Sequence, residues 1–268
     1  MFDFPIILPL FDPNFITIGG FGLKWYSLAY VFGILAVMAS LKIFNKKYQF
    51  LPQKAYDDWL FWAVIGVILG GRIGYVMFYN GQYYLDNFWQ IFAIWRGGMS
   101  FHGGLIGGVL AMFLFAKKYQ VDFLRLMDVI AIGAPVGLFL GRIANFINME
   151  LYGRPTGVDY GVVWPLIDDL PRHPSQLYEA FLEGFLAFVV LLILVNFTRI
   201  FEKKGALAGL FLVIYGIARI FVEKYRQPDL HIGFVIGDFT MGQILSLPIV
   251  IFGLVVFFTT IFKKNVEK

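Results

Sequence analysis

Cysteine is absent from the 268-residue chain. Disulfides, a thiolate nucleophile and cysteine-bound metals are therefore excluded. Charged residues are also few, at 15% of the sequence, whereas soluble domains contain about a quarter. The N-terminus, Met-Phe-Asp-Phe-Pro, lacks the basic segment of a cleaved signal peptide, so we expect the first membrane span to direct insertion. We find no internal repeat, low-complexity tract or linker, and we predict one membrane-embedded domain over residues 1–268.

Long apolar runs recur from end to end of the chain, and 59% of its residues are hydrophobic. Residues 1–24 are interrupted by prolines and glycines, so we expect a partly irregular lead-in at the membrane surface. A transmembrane helix needs about 20 apolar residues. The segments that come close are 25–43, 59–79, 99–116, 126–148, 178–197, 206–223 and 237–262. The sequence therefore predicts an all-α integral membrane protein, a polytopic bundle of about seven transmembrane helices.

Basic residues fall mainly on one side of this arrangement. The loops after the first, third, fifth and seventh segments hold thirteen of the 22 lysines and arginines. The positive-inside rule places these loops in the cytoplasm, with the N-terminus outside and the C-terminus inside. Loop 149–177 then faces outward, where we expect it to form a small cap. The polar residues of the spans gather in the outer half of the membrane.

Glycines recur at a spacing of four on several predicted spans, and such spacing lets helices approach closely. The sets are Gly66, Gly70 and Gly74; Gly103 and Gly107; Gly104 and Gly108; and Gly133, Gly137 and Gly141. We interpret them as packing seams. Gly103 and Gly104 have a second interpretation, because a bare backbone beside His102 would let a substrate come near.

The sixth span carries a polar face. At 100° per residue, Tyr215, Arg219, Glu223 and Arg226 fall within about 80° of arc. An Arg219–Glu223 ion pair that locks a helix end is the structural alternative. Four polar groups on one face, opposite a second polar face on the fourth span, favour a functional site.

The second polar face lies at the end of the fourth span, where Arg142, Asn145 and Asn148 share one side of the helix. Asparagine in a membrane helix is often only a hydrogen-bonded contact between helices. Arginine stays charged, and its planar fork binds phosphate or carboxylate through two hydrogen bonds. Arg142 and Arg219 therefore indicate an anionic head group, and phospholipid phosphate is the most abundant anion at that depth.

His102 lies between glycines at the start of the third span. It is either a hydrogen-bonded interfacial residue or a general base, since an imidazole titrates near neutral pH. The segment 173–179 opens the fifth span, and Ser175 as a helix cap is the better interpretation there. Glu179 could orient a site group. The three histidines of the chain are too scattered to indicate a metal site.

The segment 141–154, GRIANFINMELYGR, closely resembles the signature of bacterial prolipoprotein diacylglyceryl transferases. Other blocks of that family are matched in the same order by WYSL at 25–28, SFHGGL at 100–105, RHPSQLYE at 172–179, RIFVEKYRQPD at 219–229 and TMGQILS at 240–246. The resemblance runs from about residue 12 to 250. Met149 and Ser27 depart from it, because the family usually has glycine there, and these departures affect local packing rather than chemistry.

The resemblance implies transfer of a diacylglyceryl group from phosphatidylglycerol to the lipobox cysteine thiol of a preprolipoprotein, with a thioether formed and glycerol phosphate released. It implies seven spans and an active site at the outer face of the bacterial inner membrane. The partners are phosphatidylglycerol, membrane lipid and the signal peptide, with no nucleic acid and no metal or organic cofactor.

With this resemblance, His102 is the candidate base, while Glu150 and Glu223 would orient the arginines unless one of them is the base instead. The predicted catalytic residues are Tyr26, His102, Arg142, Tyr215 and Arg219. The predicted substrate-binding residues are Gly103, Gly104, Arg142, Asn145, Asn148, Glu150, Gly153, Arg154, Glu223 and Arg226.

Three other functions are alternatives to this one. A transporter or channel would need polar residues that continue toward the cytoplasmic side, where only Asp128 stands out, and an inverted repeat is absent from the sequence. A lipid-using transferase with a different acceptor would share the same phosphate clamp. A lipid-binding or assembly subunit would keep lipid binding without activity.

Overall fold

The computed structural model describes residues 5–79, 81–228 and 233–263, and most of them are helical. In chain order the helices are α1 (Trp25–Tyr48), α2 (Gln53–Tyr79), α3 (Gly81–Asp86), α4 (Phe101–Tyr119), α5 (Phe123–Ile147), α6 (Ser175–Glu179), α7 (Ala187–Phe197), α8 (Ala206–Val222) and α9 (Met241–Phe262). A π-helical stretch, Ala180–Leu186, joins α6 to α7, so Ser175–Phe197 is one continuous helix. Short 3₁₀ turns occupy Phe88–Phe92, Ile94–Arg96 and Ile200–Glu202.

Among the described residues, five helices are long and apolar enough to cross a membrane: Trp25–Tyr48, Gln53–Tyr79, Phe123–Ile147, Ser175–Phe197 and Met241–Phe262. They match five of the predicted spans, so the chain is a helical membrane protein. The predicted third and sixth spans are also helices, α4 with 19 residues and α8 with 17. The total of seven spans and the orientation of the termini stay predictions.

The prediction of an all-α chain misses three short two-stranded pairs. In these pairs β1 (Ile6–Ile7) runs parallel to β4 (Val162–Val163), β2 (Asn14–Ile18) runs antiparallel to β3 (Phe21–Lys24), and β5 (Phe234–Ile236) runs antiparallel to β6 (Phe239–Thr240). Residues 14–24 therefore form a hairpin, whereas residues 8–13 before them have no helix or strand, so the lead-in is only partly irregular. Gly19 and Gly20 have φ of 56° and 83°, as a tight two-residue hairpin turn requires.

Two compact units make up the fold, and the first, Leu41–Leu126, is built on α2 and α4. Their predicted glycine seam is confirmed. A Cβ on Gly70 would lie 2.3 Å from the carbonyl oxygen of Gly103, and one on Gly66 would lie 2.4 Å from Cβ of Ala111. Only residues without side chains allow the two backbones to come this close.

An arginine inside α2 organises the loop that precedes α4. The side chain of Arg72 is almost fully buried and donates to the carbonyl oxygens of Ile91 and Gly97, both at 2.7 Å, and of Gly98 at 3.0 Å. These bonds satisfy a guanidinium that would be costly if left unpaired in the membrane. The charge of Arg72 thus has a structural use.

The second unit, Met1–Ser40 with Met127–Lys268, contains α5 to α9 and most of α1. Gly133 on α5 faces α1, where a Cβ would lie 2.6 Å from Cα of Val37. Fully buried Asp128 accepts hydrogen bonds from the backbone N–H groups of Gly205 at 2.7 Å and Ala208 at 2.9 Å. Asp128 therefore caps the start of α8, which gives this buried acid a structural explanation without a transport path.

Candidate active site

The loop between α5 and α6 forms a small packed layer rather than a loose connection. Its core is the fully buried Trp164 with Met149 and Val162, packed against Phe146 and Leu8. Met149 leaves α5 with φ of 58°, in the left-handed region. Glycine adopts this conformation most readily, which explains why glycine is the usual residue at this position in the signature that the sequence resembles.

Backbone bonds fix this loop to the residues after α8. The N–H of Gly153 donates to the carbonyl of His173 at 3.0 Å, and that of Arg154 donates to the carbonyl of Tyr225 at 2.8 Å. A Cβ on Gly153 would lie 2.2 Å from the His173 oxygen. Glycine is therefore required by close packing of three backbone segments. Burial holds the pKa of His173 below its ordinary value, which favours the neutral imidazole.

A buried group of arginines and glutamates lies where α5, the α6–α7 helix and α8 meet. Arg142 on α5 contacts two carboxylates: its Nη1 lies 3.0 Å from Oε2 of Glu179 and its Nη2 lies 3.1 Å from Oε2 of Glu183. Both glutamate side chains are 0% exposed. Their oxygens hold the arginine fork from two sides, so its orientation is fixed by the helix that faces it.

Glu179 is the centre of this group. It also contacts Arg219 on α8, and Nη1 of Arg226 lies 3.4 Å from its Oε1. Arg219 has a second partner, because its Nη2 lies 2.8 Å from Oε2 of Glu223. Three arginines therefore meet around one carboxylate. We call the six residues the charged cluster, and they are Arg142, Arg219, Arg226, Glu179, Glu183 and Glu223.

The start of α9 holds Glu223 in place. The hydroxyl of Thr240 donates to Oε1 of Glu223 at 2.9 Å, while its backbone N–H donates to the side chain of Gln243 at 3.1 Å in a capping box. A Cβ on Gly242 would lie 2.8 Å from the carboxyl carbon of Glu223. The cap and the glycine together leave room for that carboxylate and orient it toward Arg219.

A second polar group surrounds Asn145. Its Nδ2 donates to Oε2 of Glu150 at 3.1 Å and to the hydroxyl of Tyr26 at 3.5 Å. The backbone carbonyl of Glu150 in turn accepts from Nε2 of Gln176 at 2.7 Å. Glu150 thus contacts an asparagine, not an arginine as predicted, since its carboxylate is directed to the side of α5 that carries Asn145.

The charged cluster has the chemistry of an anion site. One guanidinium group can donate two hydrogen bonds to the oxygens of a phosphate. In a buried site its charge stabilises an anion more strongly than it does in water. Among the described residues, no set of three or more histidines and carboxylates is placed to hold a metal ion. The three guanidinium groups can therefore contribute positive charge to the binding of an anion.

Comparison with known proteins gives the family. A family model described as prolipoprotein diacylglyceryl transferase matches residues 13–259. The chain belongs to this family. A phosphatidylglycerol–prolipoprotein diacylglyceryl transferase of Rickettsia canadensis is 48% identical over 92% of this chain and 96% of its own length. Proteins of the same name from Rhodospirillum rubrum and Rhodopseudomonas palustris are 47% and 45% identical, over 95% and 96% of this chain and 94% and 92% of their own lengths.

The Leu41–Leu126 unit of this diacylglyceryl transferase family member contains His102. The residue lies in the first turn of α4 and is exposed, with its ring 5.6 Å from that of Phe101. A Cβ on Gly103 would lie 2.4 Å from the carbonyl oxygen of Gly70, and one on Gly104 would lie 3.4 Å from that of Val67. The bare sides of both glycines face α2, so the structure gives them a packing role. Their contact with substrate stays a prediction.

Three further residues of the predicted site lie in the larger unit, close to the charged cluster or in the segment that follows α5. They are Tyr215, Arg154 and Asn148. Tyr215 is near enough to Arg142 to interact with it electrostatically. Arg154 donates from Nε to the carbonyl of Arg226 at 3.0 Å and lies over the ring of Phe234. Asn148 has a buried Oδ1 for which the described part of the chain offers no hydrogen-bond partner. An amide oxygen in this state is ready to accept a bond from a ligand.

Arg154 also lines an open cavity of about 360 Å³. Its lining residues are Arg154, Lys224, Phe234, Asp238, Phe239 and Gln243. Two of these side chains are positively charged and one is negatively charged, so the cavity favours anions weakly.

The sequence-based site set omitted three residues that the transferase fold brings to the centre. Glu179 and Glu183 lie one turn apart on the fifth predicted span, and neither is in the predicted set. The spacing of four that joins them on one helix face was the available signal. Thr240 has a weaker signal in the sequence. Gln243 follows it by three residues, and this spacing is the pattern of a helix capping box.

Proposed function

We propose that this chain transfers the diacylglyceryl group of phosphatidylglycerol to the thiol of a lipobox cysteine in a preprolipoprotein. A thioether forms, glycerol phosphate leaves, and the reaction is the first step of bacterial lipoprotein maturation. The relatives named above carry both substrates in their names. The observation that carries the proposal is the charged cluster, because it offers largely buried arginines to a phosphate, and Arg142 lies at the start of the signature segment.

Arg142 and Arg219 hold the phosphate in this proposal. The leaving group is a phosphate ester whose negative charge grows as its carbon–oxygen bond breaks. Both arginines are fixed by carboxylates, Arg142 by Glu179 and Glu183 and Arg219 by Glu179 and Glu223. Donors that are already in position spend no energy on reorganisation during the reaction, and the loss of one costs roughly 10²–10³ in rate.

His102 is the proposed general base. A thiol with a pKa of about 8.5 must lose its proton before sulfur attacks carbon. The proton would move to a ring nitrogen of His102, and the carbon–sulfur bond forms as the carbon–oxygen bond breaks. Glu150 or Glu223 is the alternative base. Replacing His102 with Gln should abolish most activity at neutral pH, and a variant that retained it would assign the proton to one of the glutamates.

The remaining site residues are proposed to bind and orient the two substrates. Tyr26 and Tyr215 contribute catalytic hydroxyl groups. The proposed binding residues are Gly103, Gly104, Asn145, Asn148, Glu150, Gly153, Arg154, Glu223 and Arg226. The buried unpaired oxygen of Asn148 supports its place among them.

We further propose that the protein lies in the bacterial cytoplasmic (inner) membrane as one domain. Seven helices cross the membrane in this proposal, with the N-terminus outside and the C-terminus in the cytoplasm. The cap 149–177 and the active site face the outer leaflet. The placement of thirteen of the 22 basic residues in alternate loops supports this orientation. Lipid chains and the signal helix would enter sideways between helices, since both substrates lie in the membrane.

A reconstituted transfer assay tests the proposed function. Purified protein is mixed with phosphatidylglycerol and a synthetic peptide that carries a lipobox cysteine, and mass spectrometry detects a diacylglyceryl mass on that cysteine. A peptide with serine in place of the cysteine is the control. We expect the adduct on the cysteine peptide alone, with release of glycerol phosphate. Folded protein that binds lipid but forms no adduct, also with a full-length substrate in membranes, would contradict the proposal.

A further inference from the structure

The charged cluster contains as many glutamates as arginines. When all six groups are ionised, three positive charges meet three negative charges. A phosphate anion that enters such a balanced group gains little net attraction, because the repulsion from each carboxylate offsets the attraction of its arginine partner. Strong phosphate binding therefore requires that one carboxylate lose its charge.

Glu183 is the carboxylate with the weakest support for its charge. Within the described residues it contacts one cation, Arg142, through Oε2 at 3.1 Å, and its buried Oε1 has neither a hydrogen bond nor an ion pair there. Glu179 and Glu223 also have one oxygen each without a hydrogen bond, but in both residues that oxygen lies within ion-pair distance of an arginine. Glu179 contacts three arginines, and Glu223 has one arginine and the hydroxyl of Thr240. A buried carboxylate keeps its charge more easily when more cations and hydrogen-bond donors contact it. Glu183 has the fewest such contacts, so it is the first of the three glutamates to be protonated.

Charged or titratable groups reach Glu183 from α5, from α8 and from its own helix. Arg142 comes from α5, Tyr215 and Arg219 come from α8, and Glu179 lies one turn earlier on its own helix. A phosphate held by the two arginines would therefore be a new anion close to a pair of carboxylates. Anions crowded in one buried site favour protonation of a carboxylate.

We propose that Glu183 takes up a proton from solution when the anionic head group binds, and that this frees Arg142 for the phosphate. The proton adds to one carboxylate oxygen of Glu183, which becomes a neutral acid, and no bond of the lipid changes. Arg142 then keeps Glu179 as its charged partner and directs its other amino group to the phosphate. Glu183 is a positioning residue that acts through Arg142. This inference rests on the proposed function, since it takes phosphatidylglycerol as the ligand.

Calorimetry with short-chain phosphatidylglycerol tests the proton uptake. Titrations at neutral pH in buffers of different ionisation enthalpy count the protons taken up per lipid bound. We expect net uptake by the wild-type protein and none by Glu183→Gln, which still binds because its amide mimics the neutral acid. Above neutral pH the wild-type affinity should fall by up to about tenfold per pH unit, while the variant's affinity stays constant. Glu202→Gln, at an exposed glutamate, is the matched control and should behave as the wild type.

Two results would overturn the inference: no proton uptake by the wild type, or equal uptake by wild type and Glu183→Gln. If Glu183 has only a structural role, proton uptake should be equal in the two proteins. The variant would then have a lower turnover, and the pH dependence of its lipid affinity would match that of the wild type. If Glu183→Gln does not fold, Glu183→Ala takes its place, since it also lacks the carboxyl group. The peptide-transfer assay on the same preparation separates the two proposals. No transfer by wild type rejects the proposed function, whereas transfer without proton uptake rejects only the role of Glu183.

Discussion

Glu179 is the residue whose replacement should damage the charged cluster most. Its side chain is 0% exposed and contacts Arg142 at 3.0 Å, Arg226 at 3.4 Å and also Arg219. Glu179→Gln keeps the shape of the side chain and removes its charge, so three largely buried arginines are left with two carboxylates. Removing one partner of a buried ion pair costs about 3–5 kcal/mol. We expect this cost to appear partly as lower stability and partly as slower transfer.

Two assays separate these effects in the Glu179→Gln variant. Unfolding in detergent measures the loss of stability, and the initial rate of diacylglyceryl transfer to a lipobox peptide measures the loss of function. Because about 1.4 kcal/mol corresponds to a factor of ten in rate, a loss of about 3 kcal/mol in the transition state slows transfer roughly a hundredfold. Glu202→Gln should change neither quantity. If Glu179→Gln has the same stability and the same transfer rate as the wild type, the idea that this carboxylate fixes the arginines is wrong.

Three further changes test other parts of the structure. Gly242→Ala places a Cβ 2.8 Å from the carboxyl carbon of Glu223, so transfer should slow while the unfolding temperature stays near that of the wild type. Asp128→Ala removes the cap of α8, and denaturant unfolding should show a loss of about 1–2 kcal/mol with little effect on the transfer rate. The hydrogen bond from Arg172 holds the pKa of Asp168 below its usual value. Its stabilising effect is therefore present above the ordinary aspartate pKa of about 4 and is lost as the pH falls through the lower folded value. At neutral pH the Asp168→Asn variant should unfold at a lower temperature than the wild type. As the pH falls, the variant should not show the loss of stability that the wild type shows when Asp168 is protonated.

The positions of the helices could be predicted from the sequence because each long apolar run must satisfy its backbone within one helix. The hairpin at residues 14–24 was missed for a physical reason. Gly19 and Gly20 interrupt the apolar run and indicate an irregular segment, yet their positive φ angles are also those that a tight turn needs. The run from Asn14 to Ile18 is only five residues long and does not alternate strictly between polar and apolar residues, so it does not indicate a strand by itself.

The arginines of the site could be predicted because a charge inside a membrane span is costly and needs a use. The carboxylates that hold them were harder to find. Glu179 and Glu183 lie on a different helix from each arginine that they contact, and no spacing along the chain shows that α5 and α8 both face that helix. Gly184 allows the α6–α7 helix to pack closely against α5, since a Cβ there would lie 2.7 Å from Cα of Phe139 on α5.

The central claim is that Arg142 and Arg219 hold the phosphate of phosphatidylglycerol during transfer. The most direct measurement is the rate of diacylglyceryl transfer by the Arg142→Ala and Arg219→Ala variants and by the double variant, each checked for folding by its unfolding temperature in detergent. We predict that each folded single variant loses roughly 10²–10³ in rate and that the double variant forms no detectable adduct. Near-normal turnover by the double variant would contradict the claim, because diacylglyceryl transfer would then proceed without the two arginines proposed to hold the phosphate.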